Sequence, residues 1–346
     1  MKYFAGLDVS LKEISICVVD ADGTVVAHGR APADPEGVAG WFRNRSLTPD
    51  CIVHESGQLS IWLQRGLMQL GLPAVCIDAR KAHKSLSARL NKSDASNAEG
   101  LAQLARTGWF TPVHVRSYAS DRLRGLIGAR ERLIRLRIDL EGYVRGALKT
   151  FGIRMSAVRR GRQRQAFRDQ LAAAGETDPV LRVIADGFIT AHATLCKAAA
   201  ELDAIIKKQA DQHPVAQRLM TIPGVGPVVS LSFVALIDDP DRFRRASGVG
   251  AFLGLTPRRH QSGEMDWSGR VSKCGDRAVR GLLVQAASCV LRRVGRFSEL
   301  KSWAVRLAGR CGARKATVAT ARKIAVLMLT LWKNGTEYNW NKEVIA

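Results

Sequence analysis

No run of about 18 uncharged apolar residues occurs in this 346-residue chain, which excludes a membrane-spanning helix. Cysteine is sparse and unpatterned. Cys17, Cys51, Cys76, Cys196, Cys274, Cys289 and Cys311 are odd in number and contain no Cys-x-x-Cys pair, so neither a disulfide framework nor a zinc site is expected. The seven histidines include no pair at i,i+4, which argues against transition-metal chemistry. The start, Met1-Lys2-Tyr3-Phe4, leads into a strand-like pattern with no secretory signal, so the expected location is the cytoplasm. Acid is also short: 31 Asp and Glu face 53 Lys and Arg, a formal charge of +22.

What the chain has is the balance of a folded protein of two or three domains, 46% hydrophobic and 24% charged. The charge is uneven. Residues 1–117 hold 13 basic and 11 acidic residues, so nearly all the excess lies beyond them. A field of that size favours a polyanion, and nucleic acid is the expected partner. The arginines are spread over several segments, without the amphipathic helix that a membrane surface requires.

The first third reads as strands 3–9, 13–20 and 24–28, a helix from Pro35 to about 45, a strand 51–55, a helix 61–70, a strand 74–78, and helices over 80–90 and from 93 or 94. Asp20-Ala21-Asp22-Gly23 is a hairpin turn, and Asp34-Pro35-Glu36 is a cap, a Pro at the first helical position and an acid in the first turn. The order predicts a mixed α/β sheet with helices packed on it. From 118 to 151 an apolar stripe predicts one long helix, followed by a basic loop holding Arg154, Arg159, Arg160, Arg162, Arg164 and Arg168. A second long helix is expected over 179–210, and the two suggest an antiparallel coiled-coil arm that assembles subunits. The remainder is read as mainly helical. The expected domains are 1–117, 118–212 and 213–346.

Asp8 ends the first predicted strand, Glu55 ends the fourth, and Asp94 opens a helix in Asn91-Lys92-Ser93-Asp94-Ala95-Ser96-Asn97. Acids so ordered match RNase H-like nucleases, in which carboxylates from adjacent elements converge on one or two Mg²⁺ ions. Ile222-Pro223-Gly224-Val225-Gly226 resembles the hairpin of a helix-hairpin-helix element, whose backbone N–H groups meet a phosphate. Arg258, Arg259, Arg270 and Lys273 lie on segments read as phosphate-contacting loops before a helix at 278–294. A serine there can act as nucleophile, and residue chemistry alone ranks Ser262, Ser268 and Ser272 equally.

These segments together resemble the DEDD-type transposases of bacterial insertion sequences, the IS110 family and its relatives, over nearly the whole chain. The resemblance implies a Holliday-junction-resolvase-like (RNase H fold) domain, a coiled coil and a C-terminal transposase domain. It maps the metal-binding acids to Asp8, Glu55, Asp94 and position 97, and the nucleophilic serine to Ser262. Lys92, Gly224, Gly226, Arg258, Arg259, Arg270 and Lys273 are the expected nucleic-acid contacts. The implied activity is Mg²⁺-dependent excision and insertion of an element by serine-mediated strand exchange through a Holliday junction. The implied partners are donor and target DNA, a structured guide RNA and further copies of the chain, as a dimer or tetramer. The family pattern Asp-x-x-Asp reads here Asp94-Ala95-Ser96-Asn97, and Asn97 offers a neutral oxygen where an acid is expected. Two alternatives therefore stand beside the recombinase: a junction-selective Mg²⁺-dependent endonuclease, and a nucleic-acid-binding relative with impaired catalysis.

Overall fold

The computed structural model describes residues 1–86, 94–159, 161–176, 178–263 and 265–340. Lys92 and Arg160 therefore lie outside the described residues. The chain divides into two compact units, Met1–Arg116 and Ser117–Ala346.

Strands β1 (Phe4–Val9), β2 (Glu13–Val19), β3 (Val25–Pro32), β4 (Cys51–Glu55) and β5 (Ala74–Ile77) build the first unit, with helices α1 (Pro35–Arg43), α2 (Ser60–Gln69), α3 (Ala79–Leu86) and α4 (Asp94–Thr107). The sheet order is β3-β2-β1-β4-β5. β2 is antiparallel to its neighbours, whereas β4 runs parallel to β1 and β5 parallel to β4. This is the mixed α/β sheet that the order of elements predicts. Local chemistry sets its turns. The Asp20 carboxylate accepts from the N–H groups of Asp22 and Thr24 at 3.0 and 2.9 Å, and Gly23 takes φ 89°. Asp34 caps α1 through the N–H of Gly37 at 2.6 Å, with Pro35 in the first turn.

Strand alternation divides the core between two faces of the sheet. Ile14, Ile16 and Val18 pack with Trp41, Phe42, Leu63 and Leu67 under α1 and α2. Cys17 and Val19 point the other way, to Ala98 and Ala102 of α4, beside a cluster of Val53, Ile77, Leu101 and Leu104.

In the second unit, α5 (Tyr118–Ala147) is followed by a 3₁₀ turn at Leu148–Phe151 that closes at Gly152, φ 75°. α6 (Gln163–Gly175) and α7 (Pro179–Gln212) come next. The expected basic loop is thus helical from Gln163 on: Phe167, Leu171 and Ala174 give it a buried stripe against Val144, Leu148, Leu181 and Ala185. Arg130 meets Asp203, Glu141 meets His192 and Tyr143 meets Phe188, so numbers rise along α5 as they fall along α7. The two helices are antiparallel.

Helices α8 (Pro214–Met220), α9 (Pro227–Ile237), α10 (Gly248–Phe252), α11 (Arg277–Arg292), α12 (Glu299–Cys311) and α13 (Ala313–Asn334) follow. α9 is apolar on all sides and forms the centre of this core with Leu283, Ala287, Ile324 and Met328. Between α10 and α11 the segments expected as loops form an antiparallel hairpin, β6 (Pro257–Ser262) and β7 (Met265–Val271). Among the described residues no helix is long and apolar enough to cross a membrane.

Candidate active site

The parallel pairing of β1 with β4 sets Leu7 beside His54, so the next residues, Asp8 and Glu55, leave the sheet at the same end. Both line a cleft of about 260 Å³, with Ser10, Ser56 and Ser60 on its walls. Behind Glu55 the buried His54 ring meets the Gln64 side-chain oxygen at 2.7 Å, and the Gln64 amide donates to the Ala74 carbonyl. That chain of bonds ties β4 to α2 and β5. Burial holds the His54 imidazole below its ordinary pKa, against the raising effect of Gln64.

α4 reaches the same strand end because β1 carries glycine where the helix crosses it. A methyl group at Gly6 would overlap the Ala98 carbonyl and the Ala102 N–H and stand 2.7 Å from the Leu101 Cβ. With the helix this close, the Asn97 amide Nδ2 donates to Asp8 Oδ2 at 3.1 Å. Burial pushes the Asp8 carboxyl above its ordinary pKa; the Asn97 hydrogen bond pulls it back and the Asp94 charge pushes it further up. Asp94 itself is exposed at the start of α4. Asp8, Asn97 and Asp94 are thus brought together, and Glu55 shares the cleft with Asp8.

The oxygen-rich donor set suits a hard divalent cation. Among the described residues, no three His, Cys, Asp or Glu side chains lie close enough together to form a ready metal cage.

Ser262 lies at the far end of β6, exposed, paired with Met265 across a turn that includes Gly263, φ 55°. Arg259 is an exposed member of the same ribbon, and its Nε donates to Asp266 at 2.8 Å. That bond raises the Arg259 pKa and lowers that of Asp266. Arg258 donates to the Ser272 carbonyl at 3.4 Å, and Arg270 and Lys273 are exposed. The glycines of this region are packing requirements. A Cβ at Gly254 (φ 65°) would stand 2.7 Å from the Lys273 carbonyl carbon, and one at Gly275 (φ 74°) would overlap the Phe252 carbonyl. The base of the hairpin is therefore pinned backbone to backbone, with Ser272 N–H on Thr256 O and Lys273 N–H on Gly254 O.

Gly224 (φ 82°) turns the chain between α8 and α9, where a Cβ would stand 2.7 Å from the Ala286 carbonyl of α11. Ile222 and Val225 beside it are buried, and Gly226 caps α9. The close approach to α11 explains Gly224 through packing.

Sequence reasoning passed over Gly6, Gln64, Asp266 and Trp267. Gly6 was legible as a glycine within a strand pattern, the mark of a close backbone approach.

A family model described as "Transposase IS116/IS110/IS902 family" matches residues 216–302, and a second transposase model, of the IS110 DEDD type, matches residues 5–153. The chain is 29% identical over 332 residues to the transposase for insertion sequence element IS1111A of Coxiella burnetii, covering 94% of this chain and 88% of that protein. It is 26% identical over 299 residues to the transposase for insertion sequence element IS1328 of Yersinia enterocolitica, covering 84% and 86%. Among solved structures it is similar to Thermus thermophilus RuvC, at 15% identity and a TM-score of 0.25, over 32% of this chain and 99% of that one.

Proposed function

This chain belongs to the IS116/IS110/IS902 transposase family, and we propose that it excises and inserts a bacterial insertion sequence by serine-mediated strand exchange. The observation that carries the reading is the meeting of Asp8, Asn97 and Asp94 at the strand end where Glu55 lines the same cleft.

In this reading the Ser262 oxygen attacks a phosphodiester and bonds to phosphorus. The bridging P–O bond to the sugar breaks, and the serine proton ends on the departing sugar oxygen. Attack by a different strand's hydroxyl reverses the step and joins the strands, passing through a Holliday-junction-like intermediate. Arg258, Arg270 and Lys273 neutralise phosphates around the hairpin, and Arg259 joins them when it exchanges Asp266 for DNA. Gly224 and Gly226 present the turn before α9 to the backbone of the duplex.

Asp8, Glu55 and Asp94, with the Asn97 carbonyl oxygen, would hold Mg²⁺. A bound ion supplies charge neutralisation at the phosphate oxygens. A structured guide RNA selects donor and target, and the long helices α5 and α7 assemble a dimer or tetramer.

Ser262→Ala tests the reading directly. The wild type is expected to form a covalent adduct with DNA that survives denaturation, and the variant to form none while binding DNA with nearly unchanged affinity, since every cation remains. An adduct with Ser262→Ala would overturn the serine mechanism. Asn97 favours a second reading, a nucleic-acid-binding relative with weakened metal affinity. Tight DNA binding by the wild type with neither adduct nor cleavage at saturating Mg²⁺ would establish it.

A further inference from the structure

The hairpin carries one large aromatic among polar neighbours. Trp267 lies on β7 with its side chain 55% exposed, on a ribbon whose other side chains are mostly polar. An exposed indole offers a flat surface on which another ring can stack.

Register fixes which residues share its face. Ser262 pairs with Met265 and His260 with Trp267, while Gln261 pairs with Asp266 and Arg259 with Ser268. Side chains alternate along each strand. Ser262, Met265, Trp267 and Gly269 therefore occupy one face, and the Arg259–Asp266 ion pair occupies the other. From the Ser262–Met265 pair to the Trp267 position is two residues, about 7 Å along the ribbon. That is the reach of one nucleotide.

Gly269 explains how the indole is held. A Cβ at position 269 would stand 3.0 Å from the indole Cζ3 and 3.7 Å from Cη2. The six-membered ring thus lies down along the ribbon over a residue with no side chain. Just beyond it the register slips between Pro257 and Arg259, an irregularity that sets Gly269 and Arg270 opposite Arg258. The result is a groove of about 520 Å³ lined by Trp267 with Arg258, Arg270 and Lys273, three cations and no acid.

An exposed aromatic surface beside three cations matches one ligand chemistry, an unpaired nucleobase with its phosphate. Stacking on an aromatic ring is tolerant of base identity, and the cations track the backbone. A paired base inside a duplex has both faces covered and cannot use such a surface, so the base must be unpaired or extruded. We propose that Trp267 stacks one unpaired base of the DNA strand that Ser262 attacks, while Arg258, Arg270 and Lys273 hold that nucleotide's phosphates. The DNA assignment rests on the serine reading above; the stacking seat itself rests on the hairpin alone. The seat fixes the strand beside the serine and favours sites where the duplex opens readily.

The test uses the full chain and a short single-stranded DNA carrying one 2-aminopurine, whose fluorescence falls on stacking. The wild type is expected to quench it on binding. Trp267→Ala should bind about tenfold more weakly, the scale of one lost base stack, with quenching lost and the salt dependence of affinity unchanged. Trp267→Tyr should restore most of both. Arg270→Ala should instead weaken binding of all sequences alike and flatten the salt dependence. Gly269→Val leaves the tryptophan in the chain but displaces its ring, and should lose quenching as Trp267→Ala does, which keeps the test valid if the alanine variant folds poorly. Unchanged affinity and quenching in both Trp267→Ala and Gly269→Val would overturn the proposal. So would a loss confined to RNA of the same sequence. An adduct formed by Trp267→Ala at the wild-type rate sinks the seat and leaves the serine mechanism standing. Trp267-dependent quenching without any wild-type adduct does the reverse.

Discussion

Asn97 donates its side-chain amide to Asp8, and this 3.1 Å bond joins the first turn of α4 to the end of β1. Asp8 already feels burial and the Asp94 charge. Asn97→Asp replaces the donor with a second negative charge at the same place. Without metal the variant should therefore melt at a lower temperature than the wild type. With Mg²⁺ it should recover, because the site gains an anionic oxygen ligand and metal binding to the folded state stabilises it. Mg²⁺-dependent cleavage of a matched DNA substrate should rise by about an order of magnitude, the scale of restoring a ligand or its support. Melting curves and cleavage rates across a Mg²⁺ titration decide this. Identical metal responses in both proteins would place position 97 outside the site.

Gly6 controls whether that bond can form at all. Gly6→Ala puts a methyl group into the backbone of α4 at Ala98 and Ala102, and no rotamer change can relieve a clash with backbone. The expected cost is about 1–3 kcal/mol, the usual penalty of overpacking. Gly40→Ala is the matched control, since nothing lies within 4 Å of its Cβ in α1. It should stabilise by about 0.5–1 kcal/mol through helix propensity. Denaturant unfolding of the two variants should give shifts of opposite sign. A neutral Gly6→Ala would mean that α4 does not sit on β1 at this distance.

The sheet was legible because its strands carry strong local signals: alternation in Glu13–Val19, the Asp20–Gly23 turn and the Asp34-Pro35 cap. The sequence pattern ends the third strand at 28, whereas pairing of residues 29–32 with Ile16 to Glu13 of β2 carries β3 on to Pro32. Arginine and glutamine dominate α6 and give it the composition of a loop, although Phe167, Leu171 and Ala174 hold a helical spacing. The β6–β7 hairpin was harder still. Both of its faces are exposed, so Arg258-Arg259-His260-Gln261-Ser262 lacks the polar–apolar alternation that marks a half-buried strand. Asp8, Glu55 and Asp94 are marked by strand-end and helix-start positions, and position 97 by the family resemblance alone. The Gly6 approach that unites them depends on tertiary packing, and Trp267 carries no local signal separating a stacking residue from an ordinary strand aromatic.

A buried polar cluster ties α5, α6 and α7 together and makes this region pH-sensitive. His192 is fully buried, with Nε2 3.0 Å from Glu141 Oε1. Arg137 of α5 holds the same Glu141 oxygen at 2.8 Å, Arg168 of α6 approaches the other ring nitrogen at 3.3 Å, and Cys196 lies one turn along α7. Burial lowers the His192 pKa; Glu141 opposes this, and the Arg168 and Arg137 charges add to it. A folded-state pKa below the ordinary value of 6.5 means that the unfolded chain binds the proton first. This contribution to stability is fully present above pH 6.5 and is lost as pH falls below it. His192→Gln, which cannot titrate, should flatten that part of the stability profile. Chemical unfolding at a series of pH values from neutral to mildly acidic provides the comparison; the same slope in both proteins would assign the pH dependence to other groups.

The antiparallel helices also leave apolar surface uncovered. Ile138 and Tyr143 of α5 are 51% and 64% exposed, and Val180 and Val183 of α7 are 66% and 74% exposed. Val180, Val183 and Ile184 recur at helical spacing, so they form a stripe along α7. Scattered exposed apolar residues need no partner, but a stripe on paired helices offers a surface that a second copy can cover. Net charge works against association, since the chain carries +22, and like-charged copies repel at low ionic strength. Assembly should therefore strengthen as salt screens the repulsion, the reverse of what DNA binding does. Ile138→Lys combined with Val183→Lys gives the sharp test. Both positions are exposed in the single chain, so thermal stability of the monomer should change by less than about 0.5 kcal/mol each. The mass in solution should nevertheless fall from a dimer or tetramer to a monomer, read by light scattering at high salt. A wild-type protein that stays monomeric with and without DNA, or a double variant of unchanged mass, would show that α5 and α7 do not join subunits.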